Sequence, residues 1–289
     1  MSNIVQIDRL AIIGVGLIGG SFALALKRAG AVREVLGVGR TAASLELARQ
    51  QGLIDRTVDI AEAAQADCIL LAMPVGETAA VLAQLAPHLK PGAIVTDAGS
   101  TKANVIAAAR AALGARFSDF VPGHPIAGSE LNGPLAARAD LFQSRKVVLT
   151  PEPETRGDAQ ALVNALWAAT GAQVEILEAD LHDRIFAAVS HLPHLAAYAL
   201  VNELAQRENS ADFFRFAASG FRDFTRIAGS SPEMWRDIAL ANRDAVLVEL
   251  DAYLTALQTL RTAVSVEDAA ALLEIFARAR AAREHWLAS

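Results

Sequence analysis

The sequence predicts an α/β fold, a Rossmann-like dinucleotide-binding domain followed by an all-helical domain. Three observations carry this expectation. Gly14-Val-Gly16-Leu17-Ile18-Gly19 lies between an apolar run and an Ala/Leu-rich segment, the strand–turn–helix setting in which a G-x-G-x-x-G acquires meaning. Short apolar runs then alternate with helical patterns as far as Leu177, the signature of βαβ units and a parallel sheet. From Glu178 onward no strand pattern recurs, and long segments carry helical periodicity instead. The expected domains are therefore 1–177 and 178–289.

The first strand reaches Ile13 and the first helix closes near Lys27, Arg28 and Gly30. In between, Gly14 makes the turn, Gly16 lets backbone approach a pyrophosphate, and Gly19 lets helix and strand pack closely. Leu17 and Ile18 complete this expected cofactor-binding turn, whose helix N-terminus offers positive potential to phosphates. The uncharged stretch from Leu10 to Leu26 also invites reading as a signal peptide or membrane span. It is short for a span, its glycines fall at fingerprint positions, and no basic region or cleavage site flanks it. No membrane association is expected.

Further strands are expected at Glu34–Gly39, Thr57–Ile60 (strand or loop), Asp67–Met73 and Ala93–Asp97. Helices intervene at Ala42–Gln51, Ala61–Ala66 and Glu77–Leu85, and Ala103–Leu113 follows the last of these strands. Phe120–Glu130 reads as loop, then Lys146–Thr150 and Ala172–Leu177 as strands around a helix at Asp158–Thr170. In the second half, Asp244–Leu260 and Glu267–Trp286 have the apolar stripe of long helices. That much apolar helix surface predicts a homodimer through the C-terminal helices.

The net charge of -6 over 289 residues argues against nucleic acid as a partner. Cys68 is the sole cysteine, which excludes an internal disulfide and fits a cytoplasmic protein. Its apolar neighbours mark it as a buried strand residue.

The cofactor type is read at the end of the second strand, where the adenosine ribose binds. Glu34 has the expected spacing from Gly14 but precedes its strand. The strand's end reads Gly39-Arg40-Thr41, without a carboxylate. Arg40 can fork onto a 2′-phosphate with Thr41 or Ser44 assisting, or serve as a solvated turn residue. NADP+ is expected over NAD+, with NAD+ possible.

Four segments hold the remaining chemistry: Asp97-Ala-Gly-Ser100-Thr-Lys102, Gly123-His124-Pro-Ile-Ala-Gly128-Ser129, Ser190-His191-Leu-Pro193-His194, and Gly220-Phe-Arg222-Asp-Phe-Thr-Arg226-Ile-Ala. In order and spacing, together with the glycine turn, they resemble the prephenate/arogenate (cyclohexadienyl) dehydrogenase family of tyrosine biosynthesis. The resemblance spans nearly the whole chain. It implies a dinucleotide-binding domain followed by a helical dimerisation domain; some members carry a fused mutase or an ACT domain, and since neither end here has the length for either, a bare dehydrogenase is expected.

The resemblance also implies a small-molecule substrate, a cyclohexadienol that is oxidised and decarboxylated to a phenol. His124 matches the family's catalytic histidine, and Ser100 the serine that bonds the substrate hydroxyl. Ser100 also reads as a helix cap. His194 and Arg226 match substrate-contacting positions, Arg226 toward a carboxylate. Ser129 and Arg222 are further candidates on that side, and His191 is either a substrate contact or a buried structural partner.

Lys102 is expected on the surface of a first helical turn, where its charge could help attract a dianionic substrate, and Trp235 in packing. His191 and His194, with His182 or Asp183, could hold a metal only in principle, and no metal is expected. A β-hydroxyacid- or imine-type NADP-dependent dehydrogenase is the rival enzyme, but it would need a lysine in the helical half. None follows Lys146. A non-catalytic NADP(H)-binding sensor is the other alternative.

Overall fold

The computed structural model describes residues 5–129 and 131–288. Six parallel strands form the central sheet: β1 (Ile7–Ile13), β2 (Val32–Val38), β3 (Arg56–Thr57), β4 (Cys68–Leu71), β5 (Ile94–Asp97) and β6 (Phe120–Val121). Their spatial order is β3-β2-β1-β4-β5-β6, the doubly wound arrangement with its reversal between β1 and β4. Helices α1 (Leu17–Ala29), α2 (Ala42–Gln50), α3 (Ile60–Ala63), α4 (Thr78–Leu85) and α5 (Ala103–Leu113) supply the crossovers. Every residue of β4 is buried, as expected of a parallel strand covered on both faces. Cys68 is among them, and burial pushes its thiol up to about 12, so it packs rather than reacts.

The two sheet faces carry separate cores. On one, Trp167 joins Phe22 at 4.3 Å and Phe142 at 5.2 Å between ring centroids. On the other, Leu82, Leu85 and Val105 meet Trp235 and Ile238.

The segment expected to be loop contains β6 and β7 (Gly123–Pro125). Strand β7 pairs antiparallel with β8 (Lys146–Leu149), which pairs parallel with β9 (Gln173–Ile176). These three make a second sheet. Strands of two or three residues are too short to show a period of 2, so the sequence reads them as coil. Helix α6 (Gly157–Ala169) links β8 to β9.

After β9 come α7 (Ala179–Phe186), a π-helical turn at Ala187–His191, and α8 (Leu192–Ala205). Pro193 lacks the N–H that an α-helical ladder would use, and the π turn ends two residues before it, at His191. The run Ala179–Ala205 is long and apolar enough to cross a membrane by length and composition. It nonetheless buries His182, Asp183 and His191 against polar partners within the fold. Short helices α9 (Ser210–Arg215) and α10 (Ser219–Thr225) precede α11 (Pro232–Ala241).

The chain divides into compact units at Arg243 and Asp244. The first holds both sheets and the helices through α11. The second consists of the long helices α12 (Arg243–Ser265) and α13 (Ala269–Ala288). Leu254, Leu257, Leu273, Phe276 and Trp286 stay exposed on them.

Candidate active site

A cleft of about 700 Å³ opens at the carboxyl ends of β1, β4 and β5. Gly16, Leu17, Ile18 and Arg40 line one side, Ser100, His124 and Ser129 another, and Gly229 to Met234 a third. Gly14, at φ +100, could not carry a side chain, because a Cβ would meet the Ala72–Met73 backbone at 2.7 Å. A Cβ on Gly19 would strike the Gly14 carbonyl at 2.5 Å. Gly16 differs: nothing lies within 4 Å of its Cβ position, and as the N-cap of α1 it makes no side-chain bond. A bare helix N-terminus facing an open cleft fits a pyrophosphate.

The ribose end departs from expectation in detail. Thr41 Oγ1 accepts from Ser44 N–H at 3.3 Å and so caps α2. Arg40 is largely exposed and donates to Glu77 Oε1 at 3.3 Å. Glu77 thus stands where a 2′-phosphate would compete for the guanidinium.

Lys102 corrects the sequence reading. Rather than sitting on the surface, its side chain is fully buried and bonds Asp97 Oδ2 at 2.5 Å and the Gly123 carbonyl at 2.6 Å. Asp97 also accepts from Gly99 N–H at 2.8 Å and Gly123 N–H at 3.0 Å. A buried lysine needs such partners, and an isolated DAGSTK string does not reveal that β7 will supply one. The knot ties the loop bearing Ser100 to the strand bearing His124. Burial pulls Lys102 down from the usual lysine range, while Asp97 resists.

His124, nine-tenths buried, places Nδ1 2.8 Å from His182 Nε2. His182 Nδ1 in turn lies 2.8 Å from Asp183 Oδ1. The same carboxylate accepts from Lys102 N–H at 2.8 Å and Ala103 N–H at 2.9 Å, and so caps α5. Phe186 packs against both imidazoles, at 4.8 Å and 4.5 Å between centroids.

Burial holds His124 well below the usual histidine range, with His182, Lys102 and His191 adding to the effect. It lowers His182 too, against the opposing pull of Asp183. For Asp183 burial works upward, yet His182 and the two amides outweigh it and the carboxyl sits below its usual range.

The sequence offers His182 and Asp183 only as possible metal ligands, because the partners that give them meaning are 58 and 81 residues away. The adjacent His-Asp pair one turn into a helix was the available signal.

The other residues expected on the substrate side, His191, His194, Arg222 and Arg226, are not among those that line this cleft. His191 is buried, and its Nδ1 accepts from Asn242 at 3.1 Å; Asn242 also donates to the Asp183 carbonyl at 2.8 Å. His194 stacks on Trp235 at 3.6 Å and donates from Nδ1 to the Ser190 carbonyl at 2.8 Å. Trp235 packs as expected, with its ring against that of His194. Burial lowers His194, Ser190 opposes this, and the charge of nearby Arg226 adds to the lowering. Arg222 and Arg226 are exposed. Among the described residues no group of three or more His, Cys, Asp or Glu could hold a metal ion.

Comparison with known proteins decides the family. Residues 22–176 match the family model for the prephenate dehydrogenase nucleotide-binding domain, and residues 178–278 that for its dimerization domain. The chain belongs to the prephenate dehydrogenase family. Cyclohexadienyl dehydrogenase from Zymomonas mobilis is 39% identical over 95% of this chain and 94% of its own. Prephenate dehydrogenase from Bacillus subtilis is 37% identical over 96% of this chain and 76% of its own. Among solved structures, prephenate dehydrogenase from Aquifex aeolicus, in complex with hydroxyphenyl propionate and NAD+, has a TM-score of 0.91. It is 35% identical, covering 97% of this chain and 99% of that one. Membership favours this family over the β-hydroxyacid- or imine-type rival, and the chain carries the family's nucleotide-binding and dimerisation domains.

His191 gives a pH prediction. Burial, the largest effect, moves it from 6.5 to about 4. In that window the unfolded chain binds the proton more readily, so stability present above 6.5 is lost as pH falls toward 4. Urea midpoints should fall across that range, and His191→Gln should flatten the slope without abolishing it, since His124 and His182 contribute too. A wild-type midpoint that holds constant from pH 7 to 4.5 contradicts the buried neutral histidines.

Proposed function

We propose that the chain oxidises and decarboxylates prephenate or arogenate, giving 4-hydroxyphenylpyruvate or tyrosine and CO2 in tyrosine biosynthesis. The observation that carries the reading is that Ser100 and His124 line the same cleft as the glycine turn. In the reaction, the ring carbon bearing the hydroxyl loses hydride and the hydroxyl loses its proton. The bond to the ring carboxylate breaks with its electron pair entering the ring, so CO2 leaves a phenolate, and return of the proton to its oxygen gives the phenol. When bound, the oxidised nicotinamide supplies the hydride acceptor.

The chain's own residues do the rest. Gly16, Leu17 and Ile18 seat the dinucleotide against the α1 N-terminus, while Gly14 and Gly19 keep the turn tight. His124, kept neutral by burial, accepts the hydroxyl proton as general base. Ser100 orients that hydroxyl by a hydrogen bond. Arg226 pairs with a substrate carboxylate, with His194 beside it, and Arg222 and Ser129 serve the same end. His191 supports the site from beneath through Asn242.

The functional domains divide near residue 178, and a homodimer forms through the C-terminal helices, whose exposed Leu254, Leu257, Leu273 and Phe276 need cover. With one buried cysteine, a cytoplasmic setting fits best.

NADP+ is the proposed cofactor over NAD+, held by Arg40 at its 2′-phosphate with the first turn of α2, begun by Thr41, alongside. Glu77 tempers the preference.

Two measurements test these assignments. A rate matrix of prephenate and arogenate against NAD+ and NADP+ should show reduced cofactor formed with CO2, and His124→Asn should cut kcat by about 10²–10⁴-fold with KM little changed. Turnover near wild type in that variant removes His124 from the role. Arg40→Ala should raise the KM for NADP+ about ten- to hundredfold, the worth of a charge-assisted hydrogen bond, and leave that for NAD+ in place, whereas Glu77→Gln should lower the KM for NADP+. Equal effects on both cofactors would show that Arg40 does not read the phosphate.

A further inference from the structure

We propose that Asp183 is a positioning residue that sets the tautomer of the base His124 through His182, while holding the first turn of α5 beside Ser100. The inference rests on the reading of His124 as the base, and it follows from counting protons along one buried chain.

Asp183 ends that chain as an acceptor only. Its oxygens already take the N–H groups of Lys102 and Ala103, and an ionised carboxylate has no proton to give. The 2.8 Å contact with His182 Nδ1 therefore requires the proton on that nitrogen. With His182 neutral, its Nε2 carries only a lone pair. His124 Nδ1, 2.8 Å away, must then donate to it. The base is left with its Nε2 bare, free to accept a proton from the cleft.

Once His124 has taken the substrate proton, its Nδ1–H keeps donating toward His182 and the carboxylate beyond, which favours the imidazolium without moving a second proton. Triads in unrelated hydrolases use a carboxylate on a single histidine in this way. Here a second imidazole is interposed.

The surroundings keep the chain in this state. Phe186 covers both rings. The charged or titratable groups facing them are Lys102, held on Asp97, together with His191 and Asp183. A nearby ammonium and a low-dielectric setting both disfavour a proton on His182, which is the condition the argument needs. Asn242 bonds both the Asp183 carbonyl and His191, fixing the backbone that presents the carboxylate.

Asp183→Asn reverses the polarity. With its nitrogen at the Oδ1 position the amide would donate to His182 Nδ1 and give up the bond from Lys102 N–H, while its oxygen still accepts from Ala103 N–H. The proton of His182 would then sit on Nε2 and donate to His124 Nδ1, leaving His124 protonated on the Nε2 that must act as base.

The experiment is a double-mutant cycle of Asp183→Asn with His124→Asn, read as kcat, KM and the pH profile of turnover. Asp183→Asn should lower kcat about 10²–10⁴-fold, shift the acidic limb of the profile, and leave KM for cofactor within a few-fold. In the His124→Asn background it should add almost nothing, because both changes disable one group. Independent, multiplicative losses would make Asp183 a structural cap only and overturn the proposal, as would near-normal kcat in Asp183→Asn.

Near-normal kcat in His124→Asn instead refutes the base reading, so the two failures are separable. Should Asp183→Asn lose its cooperative melting transition, His182→Phe takes its place, breaking the chain while leaving Asp183 to cap α5. It should lower kcat by about tenfold or more on the same grounds, and unchanged kcat with native melting overturns the proposal.

Discussion

One carboxylate organises the centre of this protein. Asp183 sits on α7, yet its oxygens cap α5 and meet His182. A buried charge is costly unless it is paired and hydrogen-bonded. Two backbone amides and an imidazole bond this one, and Asp183 is only 5% exposed. The arrangement joins the helix after β9 to the end of β5, so the segment carrying Ser100 cannot shift independently of the histidines. A helix N-terminus also welcomes negative charge, which helps a carboxylate stay ionised in such a place.

A second buried ion pair completes the frame. Lys102 follows Ser100 by two positions and reaches back to Asp97 and across to Gly123. Asp97 uses its other oxygen on the Gly123 amide. The strand that presents His124 is thereby fixed to the strand end that presents Ser100. Replacing such a pair by apolar residues is often neutral for stability, so its value here lies in placement. Because the Lys102 backbone bonds Asp183 while its side chain bonds Asp97, this residue stands at the junction of both networks.

The sequence made the parallel sheet legible because its signals are local. The glycines of the first turn, the apolar run at Cys68–Leu71 and the helix at Ala103–Leu113 each declare themselves within a dozen residues. The family resemblance then pointed to His124 and Ser100, and the cleft holds both. What stayed hidden was set by contacts remote in sequence. Lys102 looked like first-turn surface because nothing near it announced that Gly123 and Asp97 would enclose its ammonium. The short strand Gly123–Pro125 had too few residues to show a period. His182 and Asp183 looked like metal candidates at best, since their meaning depends on His124 and on the start of α5. The acid at the end of Arg40's reach, Glu77, was missed for the same reason: it comes from another βα loop.

The central claim concerns where one proton sits, and it can be observed without turnover. Histidine-selective 15N labelling of the resting enzyme, with His124→Asn to assign the resonances, reports which ring nitrogens of His124 and His182 carry hydrogen near neutral pH. Both rings should be neutral, each protonated on Nδ1 and bare on Nε2. Finding His124 protonated on Nε2, or His182 as the imidazolium, would contradict the account.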